Sequence, residues 1–304
     1  MKLILSRKAF DSGAGGVPNP ILDDGTMIPM PIPDKTSPIR YQDITVAGHN
    51  LGEVAAGLTK ERVRADHFAH LDPDLVHSAY PREPGWRPMF GQVGSAQSVL
   101  AREGVGPGDL FLFFGWFRRA TTSSGRLRFI PGAPDLHVLW GWMQIDQVVP
   151  VGSGEHSDWM QYHPHLAGPR GSGNSIYVAR DKLALNGIEL GLVGAGVFSH
   201  FDDRLQLTKP GSSRSLWQLP GWFAPTAARP ALGYHSDPSR WRRDGHRVEL
   251  RSAARGQEFV LDTKSYPEAI DWVRDLLKAG EVAAGRPIEE VPGRNSSQCV
   301  STST

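Results

Sequence analysis

The sequence predicts a single α+β domain: a strongly curved, mixed or mostly antiparallel sheet with one carboxy-terminal helix packed on it. Three observations carry that expectation. Two aromatic-rich apolar runs, 110–117 and 137–145, have the continuous hydrophobicity of strands buried on both faces. Glycine and proline, at 34 and 24 of 304 residues, favour turns and irregular connections over long helices. Apolar residues at sustained helical spacing occur only near the end, in 265–279.

Taken in order, Leu3-Ile4-Leu5 opens the chain as a buried strand and runs into the polar, glycine-rich stretch 6–16. Short proline-spaced extended pieces follow at 27–32 and 44–46. Thr59 is placed to cap a short helix over 60–65, and 95–103 reads as a second helix stopped at Gly104. Gly108-Asp109 introduces the first aromatic strand, and 137–145, continued through Val148-Val149, is its expected antiparallel partner. Strands at 175–179 and 190–193 follow, and 247–250 and 258–261 read as a late pair. In the last helix Ser265 and Glu268 form a capping box with Pro267 in the first turn. Ala269, Ile270, Val273, Leu276 and Leu277 make its core stripe, and Gly280 ends it. The domain is expected over 1–290, with 291–304 a polar, disordered tail.

Charge excludes one class of behaviour. Thirty-three basic and thirty-two acidic residues leave +1, so no global field draws the chain to DNA or to a membrane. A single cysteine, Cys299, excludes an internal disulfide framework. No stretch of eighteen apolar residues and no apolar amino-terminal leader occurs, so a cytoplasmic protein without a membrane partner is expected.

The opening loop has residues suited to an anion. Arg7 and Lys8 supply charge, Gly15 and Gly16 let backbone N–H groups turn toward a phosphate, and Asp11 is a possible acid, base or metal ligand. A solvated glycine-rich turn fits the same residues, and neither a Walker nor a dinucleotide pattern is present. Eleven histidines supply the second theme. His70-Leu71-Asp72 on an extended segment puts imidazole and carboxylate on one face, two of the three ligands of a 2-His-1-carboxylate iron(II) site. The remaining ligand comes from His163, His165 or His235. Capped turns explain such triplets equally well, since Pro73 follows one of them. One cysteine and no HExxH helix exclude the usual zinc sites.

Two arginine-rich patches stand out, 118–128 and 240–255, the second with Trp241 among its charges. A further donor-rich stretch, 207–223, offers Lys209 and Arg214 for phosphate or carboxylate. Trp217 is its candidate wall for a flat ring. No GxSxG elbow supports a hydrolase.

Leu5-Ser6-Arg7-Lys8-x-Phe10-Asp11-Ser12, with Gly15-Gly16-x-Pro18-x-Pro20-Ile21, resembles the opening of the third nucleotide-modification-associated domain family. His70 to Asp74, the two aromatic runs, Tyr162 to His165, 174–179 and 215–223 extend the likeness across most of 1–262. It departs at Ala9 and Asn19, where Gly and Ser are expected. The resemblance implies a bacterial or phage role in DNA or nucleotide modification. A weaker similarity, a Gly-Asp opening an aromatic strand, points to PUA-like barrels that read flipped bases.

The expected function is therefore enzymatic modification of a nucleobase or nucleotide. Asp11, His70 and Asp72 are its catalytic groups, Fe(II) its candidate cofactor, and a nucleotide or nucleic acid its partner. Two alternatives accompany it: a non-catalytic PUA-like reader of modified nucleic acid, and a metal-dependent oxidase or oxygenase tailoring a peptide or small metabolite.

Overall fold

In the computed structural model the two aromatic runs become strands of 14 and 15 residues, Leu110–Ser123 and Leu136–Pro150, paired antiparallel. Their inner halves are buried without alternation, because the sheet is covered on both faces. The structure describes residues 1–152, 154–168, 173–254 and 256–279, with the short strand Val282–Ala283. The expected helix stop Gly280 and the expected tail 291–304 lie outside the described residues.

Six strands of the large sheet run in the order Glu258–Asp262, Lys2–Arg7, Leu110–Ser123, Leu136–Pro150, Ser175–Ala179, Met89–Gln92. Lys2–Arg7 and Asn19–Ile21 lie parallel to Leu110–Ser123; the other pairs are antiparallel. The sheet is thus mixed, and it is open. The PUA-like barrel expectation is corrected: Glu258–Asp262 and Met89–Gln92 end the order without pairing to each other. The parallel pair at its centre needs a long crossover, which here is the excursion between Arg7 and Leu110 that contains His70 and Asp72.

Phe90, Phe111, Phe113, Tyr177 and Trp140 pack ring to ring in the core, at centroid distances of 5.1–5.9 Å. Gly141 sits where a Cβ would meet Leu75 at 2.9 Å and the Gly196 carbonyl at 3.0 Å, so this stretch of strand must lack a side chain.

Among the described residues three α-helices accompany the sheet. α1 (Leu51–Thr59) is capped by Asn50, whose side chain accepts from Gly52 and Glu53 N–H. The helix expected over 60–65 is corrected: Thr59 closes α1 instead, its hydroxyl donating to the Ala55 carbonyl. α2 (Gly94–Arg102) matches its expected place within a residue. α3 (Glu268–Ala279) buries Ala269, Ile270, Val273, Leu276 and Leu277 against the core. Its Glu268 carboxylate pairs with Arg229 at 3.0 Å. The late strands do not pair with each other: Glu258–Asp262 joins Lys2–Arg7, while Arg247–Arg251 joins Leu216–Pro220 and Trp241–Asp244. No described helix is long and apolar enough to cross a membrane.

Candidate metal centre

The short strand Ala69–His70 pairs with Ile32–Pro33, and the chain then turns through Asp72 to run along the edge strand Met89–Gln92. Asp74 and Met89 exchange backbone hydrogen bonds of 2.9 and 3.0 Å, and Gly91 N–H donates to Asp72 Oδ1 at 2.7 Å. Asp74, fully buried, receives both terminal guanidinium nitrogens of Arg82 at 2.6 Å. Arg82 and Trp86 also donate to the Tyr162 hydroxyl, which bonds Asp74. One buried network therefore ties 72–74 to 162–165 and brings distant histidines to Asp72.

His70 Nε2 lies 3.6 Å and His165 Nε2 3.7 Å from Asp72 Oδ2. The three ligand atoms lie within 4.8 Å of one another. Each imidazole is oriented by its far nitrogen: His70 Nδ1 meets Asp34 Oδ2 at 2.7 Å, and His165 Nδ1 meets Asn174 Oδ1 at 2.6 Å. Because Asn174 Nδ2 already donates to the His165 carbonyl, its oxygen must accept. The His165 proton is thus on Nδ1, and the Nε2 lone pair faces Asp72. Carboxylate and amide partners behind ligating imidazoles are the usual outer support of a metal site.

Electrostatics favours the ligand form of these groups. Burial alone would raise the Asp72 carboxyl; the imidazoles of His163, His70 and His165 outweigh it and hold it well below the ordinary carboxylate range. Burial pushes His165 down to about 4 against the pull of Asp72, leaving it neutral at pH 7. An ionised carboxylate facing the neutral His165 imidazole matches the protonation state a metal requires. Ligands roughly 2.1 Å from one ion stand about 3.0–3.4 Å apart, so the two imidazole-to-carboxylate spacings need to close by only a few tenths of an ångström.

Gly91 has a role that sequence reading missed. A Cβ there would stand 2.4 Å from the His165 ring, so the imidazole reaches the centre only over a residue without a side chain. Neither the strand pattern nor the local spacing marks it; the contact joins residues far apart in the chain.

The centre opens into a cleft of about 890 Å³ lined by Arg7, Lys8, Asp11, Asp34, His70, Asp72, Gln92 and His165, among others. Asp11 and Asp72 share this cavity although 61 residues separate them. The family model described as nucleotide modification associated domain 3 matches residues 2–262. The chain belongs to that family. No curated protein and no solved structure matches it.

Within this member of the nucleotide modification associated domain 3 family, the other expected site residues divide. Asp11 Oδ1 accepts from Gly13 and Ala14 N–H at 2.7 Å and so shapes its own turn. Arg7 lines the cleft, but its guanidinium donates to the Ala253 and Ala254 carbonyls. Lys8 also lines it, paired with Glu258 at 2.8 Å. Gly15 and Gly16 lie outside the lining: a Cβ on Gly15 would strike the Phe10 ring at 2.4 Å, and Gly16 faces Arg62. His163 lies on the other side of Asp72, with Nε2 3.3 Å from Oδ1 and Nδ1 accepting from His165 N–H.

The structure does not bring the remainder to the cleft. His235 is fully buried, its Nδ1 donating to the Gly233 carbonyl and its Nε2 accepting from Ala253 N–H, so neither nitrogen is offered to a metal. Trp217 is fully buried, donating to His137 Nδ1 at 2.9 Å, and presents no face to a ligand. Lys209 is paired with Glu249 and Asp244. Arg214 lies over the Trp116 ring at 4.2 Å.

Proposed function

We propose that this protein is a metal-dependent enzyme that modifies a nucleobase or nucleotide, with the ion held by His70 Nε2, Asp72 Oδ2 and His165 Nε2. The observation that carries the reading is the convergence of two outward-anchored imidazoles on one ionised carboxylate at the floor of an open cleft. The family supplies the substrate theme. Two imidazoles and one carboxylate leave open positions on iron(II), at which dioxygen chemistry becomes available. The finer proposal is therefore oxygenation with dioxygen as oxidant, in which either both oxygen atoms enter the product or one enters it while an added two-electron donor reduces the other to water.

The chain's own residues then act in three ways. Asp34 and Asn174 fix the ligand imidazoles, and Gly91 N–H with His163 fixes the carboxylate. Asp11, which lines the same cleft, would serve as the acid–base group on the side of the amino-terminal loop. Protein purified without a histidine tag and reconstituted anaerobically with iron(II) is expected to retain about one equivalent. Air exposure with deoxynucleoside monophosphates or single-stranded DNA, run with and without a two-electron donor such as ascorbate, is then expected to give a mass change of one or two oxygen atoms, read by chromatography and mass spectrometry, that Asp72→Asn abolishes. Failure to retain iron contradicts the oxygenase form; turnover in Asp72→Asn contradicts the centre as a whole.

A further inference from the structure

Among the described residues, Ile188 and Tyr234 are the large hydrophobic side chains left in open solvent, and Tyr234, 46% exposed, is the one that lines the cleft. Its φ is +66°, in the left-handed region that is costly for a bulky L-residue and ordinary for Gly or Asn. Exposure and backbone strain both work against folding, so a position selected for the fold alone would hold a smaller residue. The ring is also seated. Gly256 lies flat against one face, where a Cβ would stand 3.1 Å from three ring carbons. Phe259 meets it at 65°, with centroids 5.9 Å apart. Just behind it, buried His235 is bonded on both sides to backbone and fixes the strained turn. Gly256 covers part of the ring, and the ring lines the cleft together with it.

We propose that Tyr234 is a preorganised stacking platform, and that the ligand it takes is a planar heteroaromatic ring of the nucleobase class, lying in the cleft that holds His70, Asp72 and His165. The inference rests on the reading of this site as one that modifies a nucleotide, and adds how the base is held. The neighbouring cations favour ring over phosphate as the point of recognition, because Arg7 and Lys8 are already engaged by Ala253, Ala254 and Glu258. A cleft of about 890 Å³ also has room for a whole nucleotide.

The test is equilibrium binding by calorimetry of the four deoxynucleoside 5′-monophosphates, with ribose 5-phosphate as the ringless probe. It is run on full-length protein both stripped of metal and iron-loaded. At least one nucleotide is expected to bind about tenfold or more tighter than ribose 5-phosphate. Tyr234→Phe should keep that difference and Tyr234→Asn should lose it. Asn tolerates the left-handed backbone, so Tyr234→Asn should melt no lower than the parent, which separates loss of the ring from loss of the fold. Equal binding of nucleotide and sugar phosphate, no nucleotide binding at all, or full nucleotide affinity in Tyr234→Asn overturns the platform. Iron content is measured on the same samples: protein that holds iron but no ring contradicts the platform alone, and protein that holds rings but no iron contradicts the metal reading alone.

Discussion

Ala9 adopts φ 73°, in the left-handed region that penalises every side chain. It follows Lys8, whose N–H bonds the Phe114 carbonyl, and precedes Phe10, whose N–H bonds the Met30 carbonyl, so the chain must reverse there. That is the physical reason a glycine is expected at this position, and Ala9→Gly should stabilise the protein by about 1 kcal/mol. A urea midpoint that falls on substitution contradicts this. Asn19, the other departure, is buried and triply bonded, to the Phe10 and Trp116 carbonyls and to Met30 N–H, a set that a serine hydroxyl cannot span. At this scale the sequence revealed residue types and local spacing. His70 and Asp72 stood out because two residues of extended chain place them on one face. Which of His163, His165 and His235 approaches them does not follow from spacing, because the position of His165 depends on Gly91 and Asn174, whose contacts are set by strand pairing. Nor could spacing tell the buried Trp217 from the exposed Tyr234; only packing decides which aromatic is core.

At the scale of elements, the segment carrying Asp72 is held by the Asp74–Arg82–Tyr162 network rather than by regular structure. Both charged partners are nearly inaccessible, with side-chain exposures of 0% and 2%. Removing one would leave the other buried and unpaired. Asp74→Ala is therefore expected to cost about 3–5 kcal/mol in urea denaturation, and a loss under 1 kcal/mol would show that the pair is not the fastening described here. Strands of continuous apolar sequence were legible because burial on both faces writes itself into composition. Their partners were not. Glu258–Asp262 pairs with Lys2–Arg7 from the far end of the chain, and no local pattern encodes that choice. α1 lies wholly before the helix expected over 60–65, starting nine residues earlier, because Gly52 and Gly57 weaken its helical signature, although Asn50 caps it well.

For the molecule as a whole, two buried imidazoles outside the centre make stability depend on pH. Burial, with the charges of Arg7 and Arg214, drives His137 well below its ordinary value, and burial first of all lowers His235 to about 4. Both are neutral acceptors in the fold: His137 Nδ1 takes the Trp217 N–H and His235 Nε2 the Ala253 N–H. Because the folded values lie below the unfolded value of about 6.5, the unfolded chain binds protons first as pH falls. Their contribution is complete above about pH 6.5 and declines toward pH 4, by up to about 1.4 kcal/mol per pH unit for each imidazole. Thermal melts between pH 7.5 and 5 should show the midpoint dropping on the acid side; a flat profile contradicts the assignment. The same compact arrangement joins the first strand, the crossover and the last strand of the sheet around one cleft, which is why the centre draws on residues from 34 to 174.

The most direct test is anomalous diffraction from crystals grown without chelator and soaked anaerobically in iron(II). One strong peak is expected about 2.1 Å from His70 Nε2, His165 Nε2 and Asp72 Oδ2. A crystal in which that position stays empty while iron binds elsewhere, or binds nowhere, would contradict the metal centre.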